Sequence, residues 1–229
     1  MYQLTLDIRP RLQPSLADYV VGPNAALMVA LRRQIEARDG SWLYLWGEAG
    51  TGKTHLLEAA SLESRSLGRP SHYRCAEQGS SLLCEPASFL ALDDVERLDA
   101  DGQATLFRAF VQARETQSSL VLAGRLPPQA LALREDVRTR IGQALIFEIQ
   151  PLDDAAKGML LIQNAAARGM RLEAELVEYL LRHGSREQAW LLNVLDALDE
   201  ISLSQARPVT LPLLREILQD HDEPELPFY

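Results

Sequence analysis

The sequence predicts an α/β protein, a parallel sheet flanked by helices, followed by a small all-helical domain. Three observations predict it. Apolar strand-like runs alternate with helical periods as far as residue 150, the pattern of a parallel sheet with helices on both faces. A glycine-rich turn, Gly47 to Gly52, stands between one such run and one such period. From Pro151 onward helical periods follow one another with no strand signal among them.

Residues 1–18 carry Pro10 and Pro14 and no helical period, and read as an extended arm. Val20-Val21-Gly22-Pro23 is a turn, after which Asn24 is expected to cap an amphipathic helix over 25–37. The run 41–46, Ser-Trp-Leu-Tyr-Leu-Trp, reads as a buried strand, with Trp42 and Trp46 packed in the core. A helix over 53–67 is closed by Gly68 and Pro70, and 72–75 is a short strand. Residues 77–88 are small and polar, a loop. Strands follow at 89–92, 120–123 and 144–149, with a helix over 101–116 and a break at Pro127-Pro128. The tail gives helices over 154–168, 173–183, 187–203 and 211–219. The expected domains are therefore an arm (1–18), an α/β domain (19–152), a helical domain (153–222) and a loose tail (223–229).

Composition narrows the function. The 229 residues are 47% hydrophobic and 24% charged, enough apolar material for a core without staples. With 23 Lys and Arg against 32 Asp and Glu, the net charge of -9 opposes broad adhesion to DNA, RNA or anionic membrane. Two cysteines, Cys75 and Cys84, make no disulfide scaffold, and the four histidines show no metal-ligand spacing. No apolar run is long enough for a membrane span, and the N-terminus lacks the features of a signal peptide. The expectation is a cytoplasmic protein.

Gly47-Glu48-Ala49-Gly50-Thr51-Gly52-Lys53-Thr54 matches the phosphate-loop pattern G-x-x-x-x-G-K-[ST]. Its glycines let backbone N–H groups turn inward around phosphate oxygens, while Lys53 supplies a charge for the outer phosphates. The Thr54 hydroxyl suits Mg²⁺, and the helix that follows aims its positive end at the anion. Average glycine usage gives such a match by chance in a chain of this length on the order of 1% of the time. Asp93-Asp94, ending an apolar strand, supplies the second half of such a site. Asp93 would hold the Mg²⁺ shell and Asp94 would orient an attacking water. Aspartate pairs also end strands simply as turn formers. The phosphate loop upstream favours the metal-site reading.

These residues resemble a family. Tyr19 to Asn24, Trp46 to Leu56 and Leu90 to Val95 look like the corresponding segments of the bacterial initiator DnaA, as do Pro127-Pro128 and Arg186-Glu187. The whole chain resembles the Hda family of DnaA-related regulators more closely. It stops where DnaA would begin its helix-turn-helix domain, it starts with Gln3-Leu4-Thr5-Leu6, and its tail carries Leu195-Asp196-Ala197-Leu198-Asp199 and Pro208 to Pro212. The resemblance implies an AAA+ P-loop fold with a helical lid, and ADP or ATP with Mg²⁺ as ligands. It implies docking on the DNA-loaded sliding clamp of DNA polymerase III and stimulation of ATP hydrolysis by DnaA. Val20, Val21 and His55 would join the loop in holding nucleotide. Gln3, Leu4 and Leu6 would enter a hydrophobic clamp pocket from an extended arm, although Asp7 and Ile8 depart from the usual motif. Arg140 falls at the arginine finger, which acts on a neighbour's transferring phosphoryl group. Arg186 falls at the lid arginine called sensor 2. Self-association is also expected, because AAA+ sites lie at subunit edges.

Two departures qualify the resemblance. Arg125 stands at the sensor 1 position, where DnaA-like chains carry an acidic or amide residue, and a cation cannot accept a proton or orient water. Weak hydrolysis at the chain's own site is therefore expected, with binding intact. The segment between Lys53 and Asp93 is short and holds Gln78-Gly79-Ser80-Ser81 in place of longer DNA-contacting helices, so no direct DNA binding is expected. The competing readings are an autonomous AAA+ ATPase, such as a helicase loader or remodeller, and a nucleotide-binding interaction protein without activity of its own.

Overall fold

The computed structural model describes residues 13–76, 85–185, 187–205 and 207–221. In chain order the elements are α1 (Ala25–Glu36), β1 (Trp42–Trp46), α2 (Lys53–Ser66), β2 (Ser71–Cys75), β3 (Phe89–Asp93), α3 (Ala100–Thr116), β4 (Ser119–Gly124), α4 (Glu135–Ile141), β5 (Leu145–Glu148), α5 (Asp154–Ala167), α6 (Ala174–His183), α7 (Gln188–Gln205) and α8 (Leu211–His221). Short 3₁₀ turns at Val95–Arg97 and Pro128–Ala130 follow β3 and β4. The five strands form one sheet in the order β2-β3-β4-β1-β5, and every pair is parallel.

Strand β4 and its neighbour β3 are buried at every position because helices cover both faces of the sheet. The period of two then sorts their side chains. Trp42, Tyr44, Leu90, Leu92, Leu120 and Leu122 point to the side of α3 and α4, where Phe110 packs edge-on to Trp42 at 4.6 Å between ring centroids. Leu43, Leu45, Phe89, Ala91, Val121 and Ala123 point to the side of α1 and α2. The edge strand β5 is half exposed, consistent with its place at the rim. The lid helices α5 to α8 bury a separate core around Leu161, Leu180, Leu195 and Leu213. Val20, Leu152, Ala156 and Leu160 make a smaller cluster where the lid begins.

The expected strands and helices all form, with boundaries shifted by a residue or two. Two features differ. Helix α4 has no counterpart in the sequence reading. It spans two turns and buries only Val137 and Ile141, too short for a period to show. Its charges do mark it: Glu135 and Asp136 in the first turn and Arg138 and Arg140 in the last both suit the helix dipole. The second difference is a correction. Asn24 precedes α1 but makes no side-chain cap to it. Its amide instead pairs with the backbone of Gln150, donating to the carbonyl at 3.0 Å and accepting from the N–H at 2.8 Å. The residue is 4% exposed, and a buried amide is held by whichever partners tertiary packing supplies. This contact ties the start of α1 to the chain leaving β5.

Arg69 is a second buried anchor. It donates to the carbonyls of Gln34, Ile35, Ala87 and Ser88 and to the Ser119 hydroxyl, joining the end of α1 to the starts of β3 and β4. Burial lowers its pKa to about 10. Among the described residues, no helix is long and apolar enough to cross a membrane.

Candidate functional site

The carboxyl ends of β1, β3 and β4 lie side by side, the place where open parallel sheets present ligand sites. From β1 the chain enters the glycine-rich loop and emerges as α2. Gly52 adopts φ +91°, which a side chain rarely tolerates, and a Cβ there would stand 3.1 Å from the Tyr19 ring. Gly50, at φ +77°, lies against Ala189 of α7, so the lid touches the loop where its backbone turns.

Lys53 opens α2 and is 7% exposed. Its ammonium donates to the carbonyls of Gly47 at 2.7 Å and Glu48 at 2.6 Å, which holds it at the mouth of the loop. Desolvation lowers its pKa, opposed by the charges of Asp93, Glu96 and Asp94 and reinforced by Arg125. A buried ammonium at the mouth of a glycine-rich loop is suited to an anion.

The next residue joins the two halves of the site. The Thr54 hydroxyl donates to Oδ2 of Asp93 at 2.5 Å, and Tyr73 donates to the same oxygen at 3.4 Å. Oδ1 accepts the N–H of Asp94 at 2.9 Å. Desolvation raises the Asp93 pKa in spite of these hydrogen bonds. A hydroxyl in contact with a buried carboxylate is an all-oxygen donor pair. It fits Mg²⁺, which takes few protein ligands and completes its shell with phosphates and waters. A cation beside Asp93 would also relieve the cost of burying its charge.

Asp94 takes a left-handed conformation, φ +52°. Its carboxylate lies 3.8 Å from Arg97 and accepts from the Cys75 thiol at 3.9 Å, on the β2 side of Asp93. Arg125, at the end of β4, has an exposed side chain, and its N–H donates to Oε1 of Glu96 at 3.2 Å.

The segment before α1 wraps the start of α2. Tyr19 stacks on His55 with centroids 6.2 Å apart, and His55 Nε2 lies 3.0 Å from the Ser15 carbonyl. Burial pushes the Tyr19 hydroxyl up to about 12. Val20 is buried in the cluster with Leu152 and Ala156, and Val21 packs on the α1–α2 side of the sheet. Ser15 and Tyr19 thus meet His55 in the first turn of α2, while Val20 packs where the lid begins.

Arg140 lies elsewhere, near the end of α4. It is half-buried and its guanidinium rests over the Phe107 ring, 4.5 Å from the centroid. It lines an open groove with Arg114, Arg134 and Thr139 among the walls. Its neighbour Asp136 is taken by Arg134 at 2.7 Å, and no carboxylate among the described residues pairs with Arg140. Gln3, Leu4, Leu6 and Arg186 lie outside the described residues, although Ala189 places the start of α7 against the phosphate loop.

Sequence reasoning missed Glu96, Phe107 and Tyr44, whose hydroxyl donates to the Leu126 carbonyl at 2.7 Å. Each sits inside an ordinary pattern, and only the fold brings it to a strand end or under a guanidinium.

Solved structures share this arrangement. Domain III of the Thermotoga maritima replication initiation protein DnaA superposes with a TM-score of 0.81 at 18% identity, covering 94% of this chain and 100% of that one. AMPPCP-bound DnaA from Aquifex aeolicus gives 0.74 at 20% identity, covering 92% and 70%. The Thermotoga maritima RuvB Holliday junction branch migration motor gives 0.69 at 16% identity, covering 90% and 72%. The class is thereby defined: this is an AAA+ fold, a phosphate-loop α/β domain bearing a helical lid. The lid distinguishes the chain within that class, because residues 154–218 match the family model "Hda, lid domain". Over that segment the chain is similar to the Hda lid, and over the rest it shares the fold of DnaA.

Proposed function

We propose that this protein regulates chromosome replication initiation by promoting ATP hydrolysis on DnaA. In this reading residues 47–54 hold ADP or ATP, Thr54 and Asp93 hold Mg²⁺, and Val20, Val21 and His55 flank the nucleotide. Arg186, two residues before the lid helix that abuts the loop, would relay nucleotide state to the lid. The arm with Gln3, Leu4 and Leu6 docks the cytoplasmic protein on the DNA-loaded sliding clamp, so that DNA is met through the clamp.

The observation that carries the reading is the placement of Arg140. A guanidinium resting on an aromatic face, open to a groove and in ion-pair contact with no described carboxylate, is available to another molecule's phosphates. On DnaA it would stabilise charge developing on the transferring phosphoryl group. Self-association would use the same edge. The AMPPCP bound to the DnaA structure supports the nucleotide assignment, and the match to the Hda lid supports DnaA as the partner.

The test uses ATP-loaded DnaA with the clamp loaded on DNA. The protein should accelerate hydrolysis there and leave it unchanged when the clamp is omitted. The double variant Gln3→Ala, Leu4→Ala should lose retention on clamp–DNA. Steady-state ATPase by the purified protein alone, with no effect on DnaA, would overturn the reading in favour of an autonomous ATPase.

A further inference from the structure

We propose that Tyr73 is a positioning residue of the divalent-cation site, its hydroxyl keeping the Asp93 carboxylate turned towards Thr54. The inference rests on the reading of Thr54 and Asp93 as the pair that holds Mg²⁺ beside the phosphate loop.

Strand β2 runs parallel to β3, with Tyr73 opposite Ala91 and Cys75 opposite Asp93. The period of two puts Tyr73, Ala91 and Asp93 on one face of the sheet, the face that α2 covers. The half-buried Tyr73 ring packs there against the core, and its hydroxyl reaches along the strands to Asp93. It lies 3.4 Å from Oδ2, the oxygen that Thr54 also serves, while Oδ1 accepts the Asp94 N–H at 2.9 Å. Three donors from three segments thus fix a carboxylate whose terminal torsion is otherwise broad. The charges of Asp93 and of Glu58 on α2 both reach the Tyr73 hydroxyl, and its proton goes to Asp93.

The two hydroxyls on Oδ2 are not equivalent. Thr54, at 2.5 Å, is the closer donor, and it is also the group that would hold Mg²⁺. With its oxygen engaged at a cation, Thr54 no longer sets the angle of the carboxylate by itself. Tyr73 has no such second duty. A phenol is protonated at neutral pH and donates to a carboxylate, so Tyr73 keeps its hold on Asp93 with or without a cation. Groups that orient a ligand in this way set about ten- to a hundredfold of metal affinity. The 3.4 Å separation marks a weak hydrogen bond and places Tyr73 at the lower end of that range.

Calorimetric titration of Mg²⁺ into the protein–ADP complex, and of ADP into the protein in EDTA, tests this. Tyr73→Phe removes the hydroxyl and keeps the ring. It should weaken Mg²⁺ binding about tenfold and leave the Mg²⁺-free affinity for ADP unchanged. A merely structural role would lower both affinities together. Tyr73→Met fills the space without a hydroxyl and serves if the phenylalanine variant does not fold. Unchanged Mg²⁺ binding in a folded variant, or a parallel loss of ADP affinity, overturns the role of Tyr73 while leaving the phosphate site standing. A wild-type chain that binds no ADP, or binds it without responding to Mg²⁺, overturns the reading of Thr54 and Asp93, and this inference with it.

Discussion

Lys53 and Arg140 are both cations at the edge of the same sheet domain, and they are held in opposite ways. Lys53 is almost entirely buried, donates to two loop carbonyls and is influenced by three carboxylates. Arg140 is half exposed and rests on one aromatic ring. The lysine of the phosphate loop is held by the loop's own carbonyls. The Arg140 edge offers a charge that no described carboxylate pairs, although Glu135 and Asp136 line the same groove. Under the proposed function, the contrast separates a site for this protein's own ligand from a surface that acts on another molecule.

The largest expected effect tests that separation from the Arg140 side. Arg140→Ala should reduce the acceleration of DnaA's ATP hydrolysis on clamp–DNA by about 10³-fold or more, the scale of a lost arginine finger. Its own ADP affinity should stay the same. If nucleotide affinity falls with the stimulation, Arg140 serves its own site and the two regions are one.

The converse substitution comes next. Lys53→Ala should weaken ADP binding about a hundredfold, measured by calorimetry, because it removes a charge-assisted contact held at the mouth of the loop. The cation–π contact of Arg140 with Phe107 is remote from that change, so a defect in DnaA stimulation by this variant should be rescued by excess ADP.

The smallest effect sharpens the account of the buried side. Burial raises the Asp93 pKa, so the native state holds this proton more tightly than the unfolded chain does. Stability from this group is therefore highest below the ordinary aspartate range and falls as pH rises through the raised native value. Asp93→Asn should stabilise the nucleotide-free protein towards neutral pH in urea unfolding, with the gain shrinking at acid pH. The same variant should lose the Mg²⁺ dependence of nucleotide binding.

The fold was largely legible because its signals are local. Alternating side chains in Trp42–Trp46, the glycines of the loop and the strandless periods after Pro151 each report on a few neighbouring residues. Helix α4 escaped because two buried residues cannot display a period. Asn24 misled because a capping residue and a tertiary clamp look alike in sequence, and the choice was made by Gln150, 126 positions away. The site was legible in part for the same reason. Gly47 to Thr54 and Asp93 are motifs, whereas Glu96 and Phe107 carry no signal that marks them apart from a solvated charge and a core aromatic.

The sequence by itself determined the loop, its lysine and hydroxyl, and the order of strands and helices, since these follow from spacing and backbone freedom along the chain. Only the tertiary structure decided which groups meet: Thr54 with Asp93, Asn24 with Gln150, Arg140 with Phe107, and Glu96 over the end of β4. The physical reason is range. Propensity and periodicity act over a few residues, while burial, desolvation and charge act through space and depend on elements that the sheet order β2-β3-β4-β1-β5 brings side by side.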